Sequence, residues 1–145
     1  ADVKAMREGL KNGVIDIICT DHAPHNKKKK QREFDKAPFG ILGLQTLIPL
    51  TLNLVRDGVI NLNKMVELTS LNPAKLLKLN DRGVIAEGYL ADITIVDPDF
   101  EYLYDEKLNK SKSQNSPLLG KKLKGAAIKT IKSGRLVYDF PNVVA

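Results

Sequence analysis

The sequence predicts an α/β fold followed by a β segment. Three features carry that prediction. A short apolar run, VIDIICT at Val14 to Thr20, is flanked by helical patterns; strand, loop, helix and helix then succeed one another to about residue 80; and near Asp81 the composition changes to glycine turns between β-like runs. Nearly continuous apolar runs rich in branched residues mark strands buried on both faces, as in parallel sheets. Alternation of such strands with helices is the rhythm of α/β domains. The expected organisation is therefore residues 1–80 as helix, strand and helix units and residues 81–145 as a β segment.

Each element has its own signal. Val3, Met6 and Leu10 fall at helical spacing in ADVKAMREGLKNG, and Gly13 stops that helix. After the apolar run comes a polar, charged loop from Asp21 to Phe39, of a length that in compact domains is usually functional or disordered. From Gly40, Leu44, Leu47, Ile48 and Val55 predict a helix ending at Gly58, with Pro49 either kinking it or marking its first turn. A shorter helix is expected over Lys64 to Ser70, capped by Asn63, and another begins where Asn72 caps and Pro73 takes the first helical position. Beyond Asp81, RGVIAEGYLADITIVD holds a short β-like run, Glu101 to Gly120 is polar and irregular, and AAIKTIKSGRLVYD predicts two strands joined at Ser133-Gly134.

The bulk composition narrows the function. With 145 residues, 43% apolar and 28% charged, the chain can bury a core, and no stretch approaches the roughly 18 apolar residues of a membrane span. One cysteine makes no internal disulfide, which fits a reducing, cytoplasmic location. The net charge of +6 raises the question of nucleic acid. Its lysines, however, gather in Lys27 to Lys30 and in Lys121, Lys122 and Lys124, with no aromatic residue interleaved for base stacking. Solvated loops are the expectation there; the functional alternative for Lys27 to Lys30 is an acidic partner, or closure over an anionic substrate.

Both histidines and the only cysteine lie within CTDHAPH, Cys19 to His25. Asp21 directly follows the predicted strand, and in parallel α/β folds residues at strand carboxyl ends line the active site. A carboxylate there can bind a divalent metal and exchange a proton with a bound water. It can equally be an ordinary turn or capping residue. His22 and His25 are separated by Ala23 and Pro24 in a loop, so their side chains need not converge on a metal; His25 could bond an anionic substrate and His22 could orient the loop. Cys19, inside the apolar run, reads as a buried small hydrophobe rather than a nucleophile.

TDHAPH after an apolar strand, followed by EFDKAPFGILGLQT, resembles the type I dihydroorotases of the cyclic amidohydrolase superfamily. GVIAEGYLADITIVD and NSPLLGKKLKGAAIKTIKSGRLVY are similar to the closing β segments of these enzymes, so the resemblance covers nearly the whole chain. It implies the C-terminal part of a metal-dependent (β/α)8 TIM barrel, then a segment of a small β-sandwich. It also implies reversible, zinc-dependent cyclisation of N-carbamoyl-L-aspartate to L-dihydroorotate in pyrimidine synthesis.

By the resemblance, Asp21 is a metal ligand and the general base, then the proton donor to the leaving nitrogen. His25 holds the substrate carboxylate, the backbone of Phe39 and Gly40 contacts the substrate, and His22 is structural. One or two zinc ions are implied, with the remaining ligands upstream of Ala1 in the family pattern. A complete barrel takes about 250 residues, so the expectation is a C-terminal piece, inactive and poorly soluble alone. The implied partners are a small-molecule substrate, a second copy in a homodimer and aspartate carbamoyltransferase. The alternatives are a hydantoinase or allantoinase and a noncatalytic homologue serving as a scaffold.

Overall fold

A computed structural model describes residues 1–140; the last five residues of the predicted β segment lie outside the described ones. Helix α1 spans Asp2–Lys11, with an acid in its first turn and a base in its last, both favourable to the helix dipole. Of its apolar stripe only Leu10 is buried, against Leu52, Ile60, Met65 and Leu68. Val3 and Met6 remain exposed.

The apolar run Val14 to Thr20 departs from expectation. It forms no strand, because no strand of the described residues lies beside it. A parallel strand exists only through its neighbours' backbone groups, and here the segment has two backbone ties, from the Ile15 N–H to the Gly9 carbonyl at 3.0 Å and from the Ile18 N–H to the Leu68 carbonyl at 2.9 Å, neither of them to a strand. Ile15 and Ile18 still pack on the core, but Cys19 is exposed rather than buried.

In the long loop Lys27–Lys30 winds into one helical turn, α2, capped by the Asn26 side chain. A 3-10 turn at Leu44–Thr46 leads into α3, Leu47–Arg56, with Pro49 buried in the first turn, where its missing N–H costs nothing. The following helix starts earlier than expected. α4 is Leu62–Val66, and Asn61, not Asn63, accepts the Lys64 N–H at 2.8 Å. α4 continues through a π-helical turn, Glu67–Leu71, into α5, Asn72–Leu76. Asn72 is helical and caps nothing; its amide donates to the Asp16 carbonyl at 2.8 Å. Pro73 therefore lies within a continuous helix, and the wider π turn before it absorbs a residue that cannot donate.

Strands β1 (Ile93–Tyr104), β2 (Lys121–Lys132) and β3 (Arg135–Asp139) form an antiparallel sheet in that order. β1 runs beyond its expected end at Asp97 because a bulge absorbs Pro98, with the Asp97 carboxylate accepting the N–H groups of Asp99 and Phe100. The Ser133-Gly134 turn forms as expected and docks on Asp92, whose carboxylate accepts the Ser133 N–H at 2.8 Å and meets the Lys132 ammonium. Those bonds, the Lys132 contact first, lower the Asp92 pKa below the ordinary carboxylate range.

Helix α3 seats on the sheet at Gly125. A Cβ there would come 2.2 Å from the Leu52 Cδ1, and the residue's φ of +89° is one that glycine tolerates best. Beside it Arg56 donates to the Pro98 carbonyl at 2.6 Å.

Candidate active site

The chain leaves the apolar run through Asp21, whose φ of 43° is left-handed. That conformation costs an aspartate about 1 kcal/mol or more, and it turns the carboxylate out at the segment's end. The side chain is exposed and makes no hydrogen bond or ion pair among the described residues.

The two histidines of the motif are engaged. The His22 Nδ1 accepts the Gly43 N–H at 3.1 Å, which fixes that nitrogen as the unprotonated one. His25 lies with its Nε2 2.8 Å from the Phe39 carbonyl oxygen. A carbonyl only accepts, so Nε2 carries the proton and Nδ1 is the ring's remaining hydrogen-bonding atom.

Residues 40–43 fold back over this motif. Ala23 donates to the Ile41 carbonyl at 2.9 Å. A Cβ on Gly40 would stand 2.5 Å from the Ala23 Cβ, and one on Gly43 2.6 Å from the Thr20 carbonyl oxygen. Gly40 also has a φ of +98°, so both space and backbone demand glycine there. The predicted residues His25, Phe39 and Gly40 thus form one edge. Asp21 stands apart from that bonding.

Two more residues hold the edge, Lys30, which the sequence marks only as one of a lysine run, and Asn115, which it does not mark. Lys30, half-buried at the end of the lysine run, donates to the Pro38 carbonyl at 2.9 Å and the Gly40 carbonyl at 3.1 Å. Asn115, from the irregular segment between β1 and β2, accepts the His25 N–H at 3.0 Å and donates to the Ala23 carbonyl at 2.8 Å. The carbonyls of residues 38, 39 and 40 are all occupied. The Phe39 and Gly40 N–H groups make no hydrogen bond among the described residues.

Among the described residues no group of three or more His, Cys, Asp or Glu side chains comes together as a metal site. Each histidine has one ring nitrogen tied to backbone, and the Asp21 carboxylate and the Cys19 thiol stand exposed without such ties. This donor set does not fit a centre of this chain's own. No helix of the described residues is long and apolar enough to cross a membrane.

A profile of the amidohydrolase family matches residues 1–137. The chain is 49% identical over 139 residues to a dihydroorotase of Endomicrobium trichonymphae, covering 95% of this chain and 33% of that protein. It is 47% identical over 137 residues to a dihydroorotase of Aquifex aeolicus, covering 94% and 32%. Among solved structures, the L-hydantoinase (dihydropyrimidinase) of Arthrobacter aurescens superposes with a TM-score of 0.82 at 32% identity, over 97% of this chain and 32% of that one. The dihydropyrimidinase of Brevibacillus agri gives 0.84 at 29% identity, with the same coverage. The chain spans about a third of the length of the curated relatives it matches.

Proposed function

The chain belongs to the amidohydrolase family, and from that premise we propose that its 145 residues supply one edge of a dihydroorotase active site. The reaction is the reversible, zinc-dependent cyclisation of N-carbamoyl-L-aspartate to L-dihydroorotate. In this reading residues 1–80 are the last units of a (β/α)8 barrel, with Val14 to Thr20 becoming a strand between neighbours, and residues 81–145 belong to a small β-sandwich domain. The segment has only two backbone ties among the described residues, neither to a strand, which supports its need for neighbours.

Asp21 carries the proposal. A left-handed backbone, exposure and the lack of a partner among the described residues support a role in chemistry over one in turn stability. As a ligand it would hold zinc, which when bound supplies a nucleophile near neutral pH and polarises the attacked carbonyl. In ring opening a water adds to the ring amide carbonyl and gives its proton to Asp21, which passes it to the leaving nitrogen as the C–N bond breaks; in cyclisation the steps run in reverse. His25 keeps its Nε2–H on the Phe39 carbonyl and, as the doubly protonated ring, donates its Nδ1–H to the substrate carboxylate, with the N–H groups of Phe39 and Gly40 as donors alongside.

The structural likeness to hydantoinases supports a second reading, a ring-opening enzyme for hydantoins. The higher identity to dihydroorotases and the histidine at position 25 favour the first. The test is turnover by the full-length protein. Dihydroorotate is expected to outpace hydantoin, and Asp21→Ala is expected to lower kcat by about 100-fold or more. Dihydroorotate turnover that survives in Asp21→Ala removes the assigned role, and a preference for hydantoin moves the chain to the other branch.

A further inference from the structure

The substrate edge is built by residues of the barrel-like segment, but it is held from outside. Asn115 lies 90 positions from His25 in sequence and reaches across with both ends of its amide. Its Oδ1 accepts the His25 N–H at 3.0 Å, and its Nδ2 donates to the Ala23 carbonyl at 2.8 Å and the Gly40 carbonyl at 3.3 Å. Its own backbone carbonyl accepts the Leu42 N–H at 3.1 Å. The partners fix the orientation of the amide, because the two carbonyls only accept and the N–H only donates.

We infer that Asn115 is a positioning residue for substrate binding, locking His25 and the Phe39–Gly40 backbone into one rigid unit. The inference rests on the reading above, in which those groups hold the substrate carboxylate. One side chain bonds the motif on either side of Pro24, at Ala23 and His25, and also the returning strand of loop at Gly40. Side-chain chemistry makes asparagine the suitable residue. Aspartate would aim an acceptor at two carbonyl oxygens, and alanine would leave the His25 N–H and the Ala23 carbonyl without partners in a half-buried place. The chemistry calls for geometry more than strength: an anion-binding imidazole displaced by about 1 Å loses much of its value.

The test is made in the full-length zinc enzyme with Asn115→Ala, His25→Ala and the double variant, read by steady-state kinetics and by hydrogen–deuterium exchange over residues 22–43. Asn115→Ala is expected to raise KM for dihydroorotate about tenfold, with kcat changed less than about threefold, and to speed exchange at the His25 and Leu42 amides. In the His25→Ala background the same change should have little further effect on KM. If Asn115→Ala does not fold, Asn115→Asp, close in shape, is measured instead, with the same expectation. Unchanged exchange, or KM effects that simply add, would overturn the inference. Faster exchange in a protein whose wild type does not turn over dihydroorotate would support the positioning and overturn the substrate reading, so the two failures are distinct.

Discussion

At the scale of single residues, the site divides into groups a short motif displays and groups that only folding brings near. Asp21 and His25 stand out in CTDHAPH because their chemistry is adjacent in sequence. Lys30 does not, because in a run of four lysines nothing in the residue type separates a structural donor from three solvated charges. The fold makes the distinction by bringing Pro38 and Gly40 within reach of its Nζ. Each of those bonds is worth about 1 kcal/mol, so Lys30→Met in the full-length enzyme is expected to raise KM roughly five- to tenfold. Serine at Lys27, Lys28 and Lys29 together should stay within about twofold, since exposed charges contribute little and are screened by salt. Equal effects from the two variants would return the whole run to the status of a charged loop. Asn115 was hidden for a different reason: its partners lie 75 to 92 positions away, and no local pattern encodes such a bond.

At the scale of elements, the legible pieces were those whose signal is local. α1, α3 and the hairpin of β2 and β3 follow from helical spacing or from a two-residue turn. The segment Val14 to Thr20 was legible as apolar but not as a strand in isolation, because pairing is a property of two chains of backbone. The merging of α4 and α5 escaped because Asn72-Pro73 looks like a start signal, and the π turn that accommodates it leaves no mark in composition. The sheet has its own testable property in the aromatic cluster of Phe100, Tyr102, Tyr138 and Phe140. Burial, with smaller contributions from Tyr138 and Tyr104, pushes the Tyr102 phenol up to about 12. Below pH 10 that phenol is neutral in folded and unfolded chains alike, and its contribution is fully present. As pH rises from about 10 towards 12 the unfolded chain releases a proton that the folded one keeps, so stability falls. Thermal melts across this window should show the decline, and Tyr102→Phe should make it shallower. The remaining slope belongs to Tyr104 and Tyr138, whose phenols burial also raises. An identical slope in the variant would mean that Tyr102 is hydrated in the folded protein.

At the scale of the whole molecule, the parts are interlocked yet incompletely covered. α3 meets β2 where Gly125 lets Leu52 approach, Arg56 reaches Pro98, and Gln45 exchanges hydrogen bonds with the backbone of Leu108 and Lys110. These contacts hold the sheet and the motif-bearing loops in one frame, which is what allows Asn115 to act on His25. The accessible surface is nevertheless 10344 Å², against about 7,400 Å² expected for a compact monomer of this mass. Large apolar side chains are exposed along the chain: Val3, Met6 and Val14, Phe34 at 93% and Phe39 at 88% exposure in the loop, and Leu76, Leu77 and Ile85. Exposed large apolar side chains in this number favour association. The net charge of +6 opposes it, but only over the roughly 10 Å Debye length of dilute salt. The 145-residue chain studied alone is therefore expected to self-associate, to bind a hydrophobic dye, and to do both more strongly when salt rises to about 0.5 M and the mutual repulsion is screened. Light scattering across a salt series gives the measurement. A monodisperse monomer at every salt concentration would show that the exposed apolar side chains collapse onto the chain itself, and the surface described here would not be the one present in solution.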